Sequence, residues 1–283
     1  MASNTTNKST VSYTPNIHLK LGIKIWVQML RELVASRELI IRFFIRDFSA
    51  KYRQSIFGYF WALILPFIAI GTFIFLNRSG ILNIGSTDAP YPIFALIGLS
   101  VWQLFSSGVV AGTNSLVAAG SMIGKINFPR ESLVFASLAQ AVFEFLIKVV
   151  LILIFFVIFK YVPHWTIIFL PIAVIPILFF TLGLSLILSL VNGIARDTAN
   201  VVSLGVNFLL FLTPVLYPQE GRYIWFFKLN PLTALVNAPR DLALYGSIQQ
   251  PTDFLIATIL SITLFLFAWR LFHLVETKIP ERI

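Results

Sequence analysis

The chain has 283 residues, of which 58% are hydrophobic and 12% charged, with a mean hydropathy of +0.87 and a formal charge of +9. Soluble domains carry roughly 25% charged residues, so this composition excludes a soluble enzyme, a secreted module and a disordered tail, and specifies an integral membrane protein. With no cysteine, disulfides, iron–sulfur clusters and thiolate metal sites are excluded too.

From Met1 to Asn16 the chain is polar, rich in Ser, Thr and Asn, and without the early apolar core of a signal peptide, so no cleavage is expected. Residues 1–30 read as a polar, basic extension. Residues 31–56 follow as an amphipathic helix. Leu39, Ile40, Phe43, Phe44 and Phe48 supply its apolar face, and Glu38→Arg42 and Asp47→Lys51 are i,i+4 pairs of favourable orientation. Such a helix lies in the membrane interface, and the pattern fits a lipid anchor and a partner-docking element equally.

Residues 57–272 hold six apolar windows, Phe57–Leu76, Tyr91–Val110, Leu133–Phe159, Trp165–Leu190, Val201–Tyr217 and Phe254–Phe272. They are continuously apolar rather than alternating, which predicts helices and not barrel strands. The expected fold is therefore all-α, with six transmembrane helices and a cytoplasmic tail over 273–283. Placing the N-terminus inside puts fifteen Lys and Arg on the inner side against five outside, with Lys148 inside a span. That satisfies the positive-inside rule for two cytoplasmic termini. Topology explains the basic excess, and no nucleic-acid partner is needed. The three histidines, His18, His164 and His273, have no metal-ligand spacing.

The inner loop after the second span predicts a short helix over Leu116–Ile123, capped by Asn114 and followed by Lys125 and the chain-resetting Pro129. A projecting helix of this kind is a ledge for a soluble partner. Gly124-Lys125 is a near miss to a phosphate loop. The required earlier glycine is Ala119 and the required hydroxyl residue is Ile126, so the chain has no nucleotide motif of its own. Gly108 and Gly112 form GxxxG, a close-packing signal between membrane helices. Pro66, Pro171, Pro176 and Pro214 lie within the apolar windows and predict kinks. In the third span Glu144 and Lys148 lie one turn apart and can neutralise each other as an intramembrane ion pair. A proton relay would want further buried carboxylates, and no other span contains one. Between spans five and six, Gly221–Gly246 is too apolar for a free loop yet broken by Pro231, Pro239, Arg240 and Asp241. It predicts re-entrant outer helices acting as a gate.

In this order the pieces resemble a known family, the permease subunits of type-two ABC exporters for polysaccharides such as O-antigen, capsular polysaccharide or teichoic acid. Arg46-Asp47, Lys51-Tyr52-Arg53-Gln54-Ser55, Gly58 and Trp61-Ala62 to Pro66 resemble the family's basic helix and first span. Lys125-Ile126-Asn127-Phe128-Pro129-Arg130 resembles the segment after its coupling helix, and Asn192 with Arg196-Asp197 its inner loop between spans four and five. Thr213-Pro214-Val215-Leu216-Tyr217-Pro218 and Asn230-Pro231-Leu232-Thr233 are similar to the end of span five and the start of the re-entrant helices. The resemblance covers residues 37–275 and leaves the extension unassigned.

It implies a homodimer in the bacterial cytoplasmic (inner) membrane, with two copies of a separate ATPase that holds ATP and Mg, no cofactor on this chain, and a lipid-linked glycan as substrate. It implies a transport subunit rather than an enzyme, with Asn114–Gly124, Arg46, Lys51, Arg53, Arg196 and Asp197 toward the ATPase. Aromatic faces can lie against sugar rings without demanding charge. Tyr59, Trp61, Phe67, Trp102, Phe105, Phe208, Phe211 and Tyr217 are the candidates for the translocation path, against the commoner case of aromatics that face lipid or pack between helices. A membrane-embedded transferase or hydrolase would need clustered acids, and the twelve acids are dispersed. A secondary carrier would show more intramembrane ionisable groups. A drug or small-lipid exporter would share the architecture.

Overall fold

The structure, a computed structural model, describes residues 23–52, 89–123, 128–219 and 224–275, with isolated positions between 64 and 79. The regular elements are α1 (Ile23–Ala35), α2 (Arg37–Tyr52), α3 (Tyr91–Ala118), α4 (Gly120–Ile123), α5 (Glu131–Ile158), a 3₁₀ turn (Trp165–Phe169), α6 (Leu170–Ile194), α7 (Thr198–Leu212), α8 (Ile224–Leu229), α9 (Pro231–Leu244) and α10 (Pro251–Val275). Among the described residues, four helical stretches are long and apolar enough to cross a membrane: Tyr91–Ala118, Glu131–Ile158, Trp165–Ile194 and Pro251–Val275. α7 is apolar but shorter, and most of the first apolar window falls outside the described residues.

α3 is the central helix. It packs against α5, α6, α7 and α9, and from Ile93 to Trp102 every residue is buried. Between membrane helices the hydrophobic effect supplies little, so close approach of small residues decides which faces meet. A Cβ added at Gly108 would sit 2.6 Å from Thr181 Cγ2, and one at Gly112 would sit 2.5 Å from Ser185 Cβ. Ser185 Oγ donates to the Gly108 carbonyl at 3.3 Å across that seam. The GxxxG pattern therefore packs α3 on α6 within one subunit.

The outer faces of α5 and α10 run the opposite way from a soluble protein. Val150, Leu153, Ile154 and Val157 on α5, and Leu255, Ile256, Ile259 and Phe267 on α10, are exposed. Lipid is the solvent that such faces require.

Local chemistry corrects several expectations. Residues 31–56 were expected as one helix, but among the described residues helix already runs from Ile23 and breaks at Ser36, whose hydroxyl donates to the Glu32 carbonyl at 2.8 Å, while residues 53–56 lie outside the described residues. Asn114 caps nothing. It lies inside α3 and its amide donates back to the Val110 carbonyl at 3.0 Å, so the helix runs on to Ala118 and, among the described residues, the four of α4 follow a turn at Ala119. Pro171 sits in the first turn of α6, where its missing N–H costs nothing, while Pro176 is interior. Pro214 lies beyond α7, which stops at Leu212 instead of reaching Tyr217.

α5 ends in a Schellman closure. Tyr161 N–H donates to Phe156 O at 3.1 Å and Lys160 N–H to Val157 O at 3.2 Å. The left-handed position is held by Lys160, with φ 51°, where glycine is usual.

Candidate functional site

Three regions hold the residues singled out by sequence. The first is the end of the bundle formed by α1, α2, α4, the start of α5, the α6–α7 turn and the end of α10. α2 lies along α5 through Phe44 and Phe48, whose rings are 5.9 and 4.8 Å from Phe143. Its Phe43 is 5.4 Å from Phe128, in the segment after α4. Arg46 pairs with Asp47 at 2.7 Å, lies 5.0 Å from the Phe43 ring, and reaches Met122 of α4 with an Nη1–Sδ distance of 3.9 Å. The ion pair is exposed and adds little stability. What it does is hold a cation over α4.

Asn192 stitches the next turn to this end. Its amide donates to the Thr113 carbonyl at 3.0 Å and its oxygen accepts from Ala199 N–H at 3.2 Å. The exposed Arg196 and Asp197 are thereby carried on a turn anchored to α3. Arg46, Leu116, Arg196 and Asp197 thus share one end of the bundle, Leu116 being fully buried inside it. Arg53 and Lys125, and the side chains of Lys51 and Ile123, lie outside the described residues. Sequence reasoning missed Glu131 and Trp269. The Trp269 indole donates to Glu131 at 2.9 Å, both residues are buried, and Trp26 of α1 meets the Trp269 ring at 6.1 Å. A carboxylate at the start of a helix, with a tryptophan in the last turns of another, was the available signal.

The second region is the face of α7. Val201, Leu204, Phe208 and Phe211 are exposed at helical spacing, and the Tyr217 hydroxyl donates to the Phe211 carbonyl at 2.7 Å. Phe67 is also exposed and lies 5.2 Å from Phe155. Trp102 and Phe105 are corrected: both are core residues of α3, 5.4 Å apart, with Phe105 packed 6.0 Å from Phe180. An aromatic side chain buried against neighbouring helices has no path to line. Tyr59 and Trp61 lie outside the described residues. Glu144 and Lys148 are both buried on α5.

The third region surrounds α9 at the opposite end. Asn230 caps α9 by accepting from Leu232 N–H at 3.1 Å, which leaves Pro231 in the first turn, and its amide donates to Thr213 Oγ1 at 2.9 Å. The C-terminal carbonyls of α9 are taken up by the segment before α6: Leu242 accepts from Thr166 Oγ1 at 2.6 Å and Ala243 from His164 N–H at 3.1 Å. Arg240 is 3% exposed. Its Nη1 donates to the carbonyls of Pro214 and Val215 at 3.3 and 3.2 Å, Nη2 donates to Asn237 Oδ1, and its carbon lies 3.8 Å over the Phe94 ring. Desolvation lowers Arg240 to about 10 against the opposing pull of Asp241 and Tyr245. The Val215 carbonyl presses on α3 so closely that a Cβ at Gly98 would be 2.5 Å from it. Asp241 accepts from Gln249 N–H at 3.0 Å, and burial raises its carboxyl to about 6 despite that bond and Arg240. Beside these residues lies a half-open cavity of about 280 Å³, walled by Gln219, Asn237, Gln249 and Gln250.

A family model described as ABC-2 type transporter matches residues 38–244. Two proteins of Klebsiella pneumoniae named O-antigen export system permease protein RfbA are similar: one is 29% identical over 72% of this chain and 79% of its own length, the other 31% over 71% and 78%. A protein of the same name from Myxococcus xanthus is 28% identical over 75% of this chain and 82% of its own.

Proposed function

Since this chain belongs to the ABC-2 type transporter family, we propose that it is the permease subunit of an ATP-driven exporter of a lipid-linked polysaccharide of O-antigen type. The curated relatives, all named as O-antigen export permeases, support the substrate class. Two copies form the path in the cytoplasmic membrane, with six spans each and both termini in the cytoplasm. Two copies of a separate ATPase, holding ATP and Mg, dock below. The interfacial unit is 31–56, the spanning domain 57–272 and the tail 273–283.

The observation that carries this reading is the gathering of α2, α4 and the α6–α7 turn at one end, through Arg46 with Met122 and Asn192 with Thr113. Elements far apart in sequence there present one surface of exposed charge, which is what a nucleotide-driven partner needs to grip several helices at once. In this reading α4 and its flanks, from Asn114 through Lys125, are the coupling element. Arg46, Lys51, Arg53, Arg196 and Asp197 are docking charges. Phe67, Phe208, Phe211 and Tyr217 line the path, joined by Tyr59 and Trp61. Glu144 and Lys148 are a structural pair inside the bundle. α8 and α9 are the re-entrant outer helices, and Pro231, Arg240 and Asp241 shape the gate. ATP-driven closure of the partner pair shifts the docked elements between two arrangements of the bundle, each with its own contacts.

The test is a proline at Met122 in the assembled complex. It should abolish ATP-dependent export while leaving the membrane dimer intact by native mass spectrometry. Normal export would remove the coupling assignment.

A further inference from the structure

The cavity beside α9 gathers four carboxamide side chains with Arg240, Asp241 and the rings of Phe94 and Tyr245. It holds about 280 Å³, at the small end of ligand pockets, between the α7–α8 connection, α9 and the segment leading into α10. Three of the carboxamides in its wall are held to one another. Gln219 Oε1 accepts from Asn237 Nδ2 at 3.3 Å and from Gln250 Nε2 at 3.2 Å, which fixes the orientation of the Gln219 amide. Gln219 Nε2 and Arg240 Nε are both buried and have no acceptor among the described residues. Arg240 is 3% exposed, and its other nitrogens are committed to Pro214, Val215 and Asn237.

Charge narrows the class of ligand. Arg240 and Asp241 both line the cavity and offset each other, so neither an anion nor a cation gains a net attraction. A free phosphate or carboxylate would find only Nε of the guanidinium unengaged, and a carboxylate beside it. An acyl chain would strand the amides without partners. Hydroxyl groups, each a donor and an acceptor, fit walls that offer both.

We propose that this cavity is a subsite for one neutral sugar ring of the exported glycan, on the outer side of the membrane. The proposal rests on the polysaccharide-export reading. A single shallow subsite of amide hydrogen bonds holds a ring briefly and releases it, which suits a chain that must move past and gives it a contact after it clears the path.

The test uses the permease–ATPase complex in nanodiscs with radiolabelled lipid-linked glycan extracted from the producing cell. A photo-crosslinking p-benzoylphenylalanine is placed either at Gln249, whose backbone N–H still serves Asp241, or at Phe208 on the α7 face. With ATP, both positions should form glycan adducts. Asn237→Leu with Gln219→Leu should lower the Gln249 adduct at least fivefold and leave the Phe208 adduct unchanged. Gln250→Met, at a half-buried side chain, repeats this with less disturbance to the fold. D-mannose or D-galactose should compete better than D-glucuronate at Gln249. Labelling at Phe208 but not Gln249, or Gln249 labelling indifferent to the wall variants, would overturn the subsite and leave the export reading standing. Stronger competition by glucuronate would overturn the neutral-sugar assignment. No labelling at either position would overturn both.

Discussion

The Asn192 amide donates to the Thr113 carbonyl at 3.0 Å while its oxygen accepts from Ala199 N–H at 3.2 Å, so one buried side chain joins the end of α6, the start of α7 and the inner part of α3. Removing it leaves two backbone groups without that partner, at a cost of about 1–3 kcal/mol. Asn192→Leu should lower the melting temperature in detergent and uncouple ATP hydrolysis from export. Wild-type melting and full coupling would show that the turn does not depend on this tie.

α5 closes with Lys160 at φ 51°, in the left-handed region that costs a side-chain-bearing residue ~1–2 kcal/mol. Lys160→Gly should therefore raise the melting temperature, and Lys160→Val should lower it. A fall with glycine would mean that the lysine stem contributes more than the strain removes.

Gly98 and Gly205 make a contrasting pair. A Cβ at Gly98 meets the Val215 backbone oxygen at 2.5 Å, and backbone cannot swing away as a side chain can, whereas a Cβ at Gly205 meets nothing within 4 Å. Gly98→Ala should destabilise by ~1–3 kcal/mol. Gly205→Ala should leave the fold unharmed or raise its stability by up to ~1 kcal/mol through helix propensity. Thermal unfolding of the two variants side by side checks the difference, and equal behaviour would refute the close approach of the 213–217 segment to α3.

How far the sequence alone reaches differs along the chain. The apolar window Leu133–Phe159 coincides with α5 almost to the residue, since lipid solvation reads hydropathy directly. Asn114 misled because a small polar residue in a helix interior can bond one turn back and need not mark an end. Trp102 and Phe105 misled for another reason. Aromatic identity does not say whether a helix is central or peripheral, and α3 is central. α1 shows a buried Ile25 and Met29 at i,i+4 spacing, a signal present in the extension but short. The carboxamide wall was illegible because Gln219, Asn237 and Gln250 meet only after α8 and α9 fold back.

Asp241 carries a pH signature. Burial raises its carboxyl from 3.8 to about 6, against the Gln249 N–H and Arg240. The folded protein then holds this proton more tightly than the unfolded chain, so the contribution to stability is full below 3.8 and is lost as pH rises through about 6. Between pH ~4 and ~7 the wild type should lose at most about 3 kcal/mol relative to Asp241→Asn. Melting curves of the two across that range test it, and parallel curves would show the carboxylate to be well solvated.

If this chain opens a path driven by a separate ATPase, the two proteins must leave the membrane together, and co-purification reads that out. The chain, expressed with its native neighbours and extracted in mild detergent or nanodiscs, is weighed by native mass spectrometry. The account predicts a dimer of this chain with an ABC ATPase in equal numbers. A chain that purifies alone and moves substrate without any ATPase would contradict it.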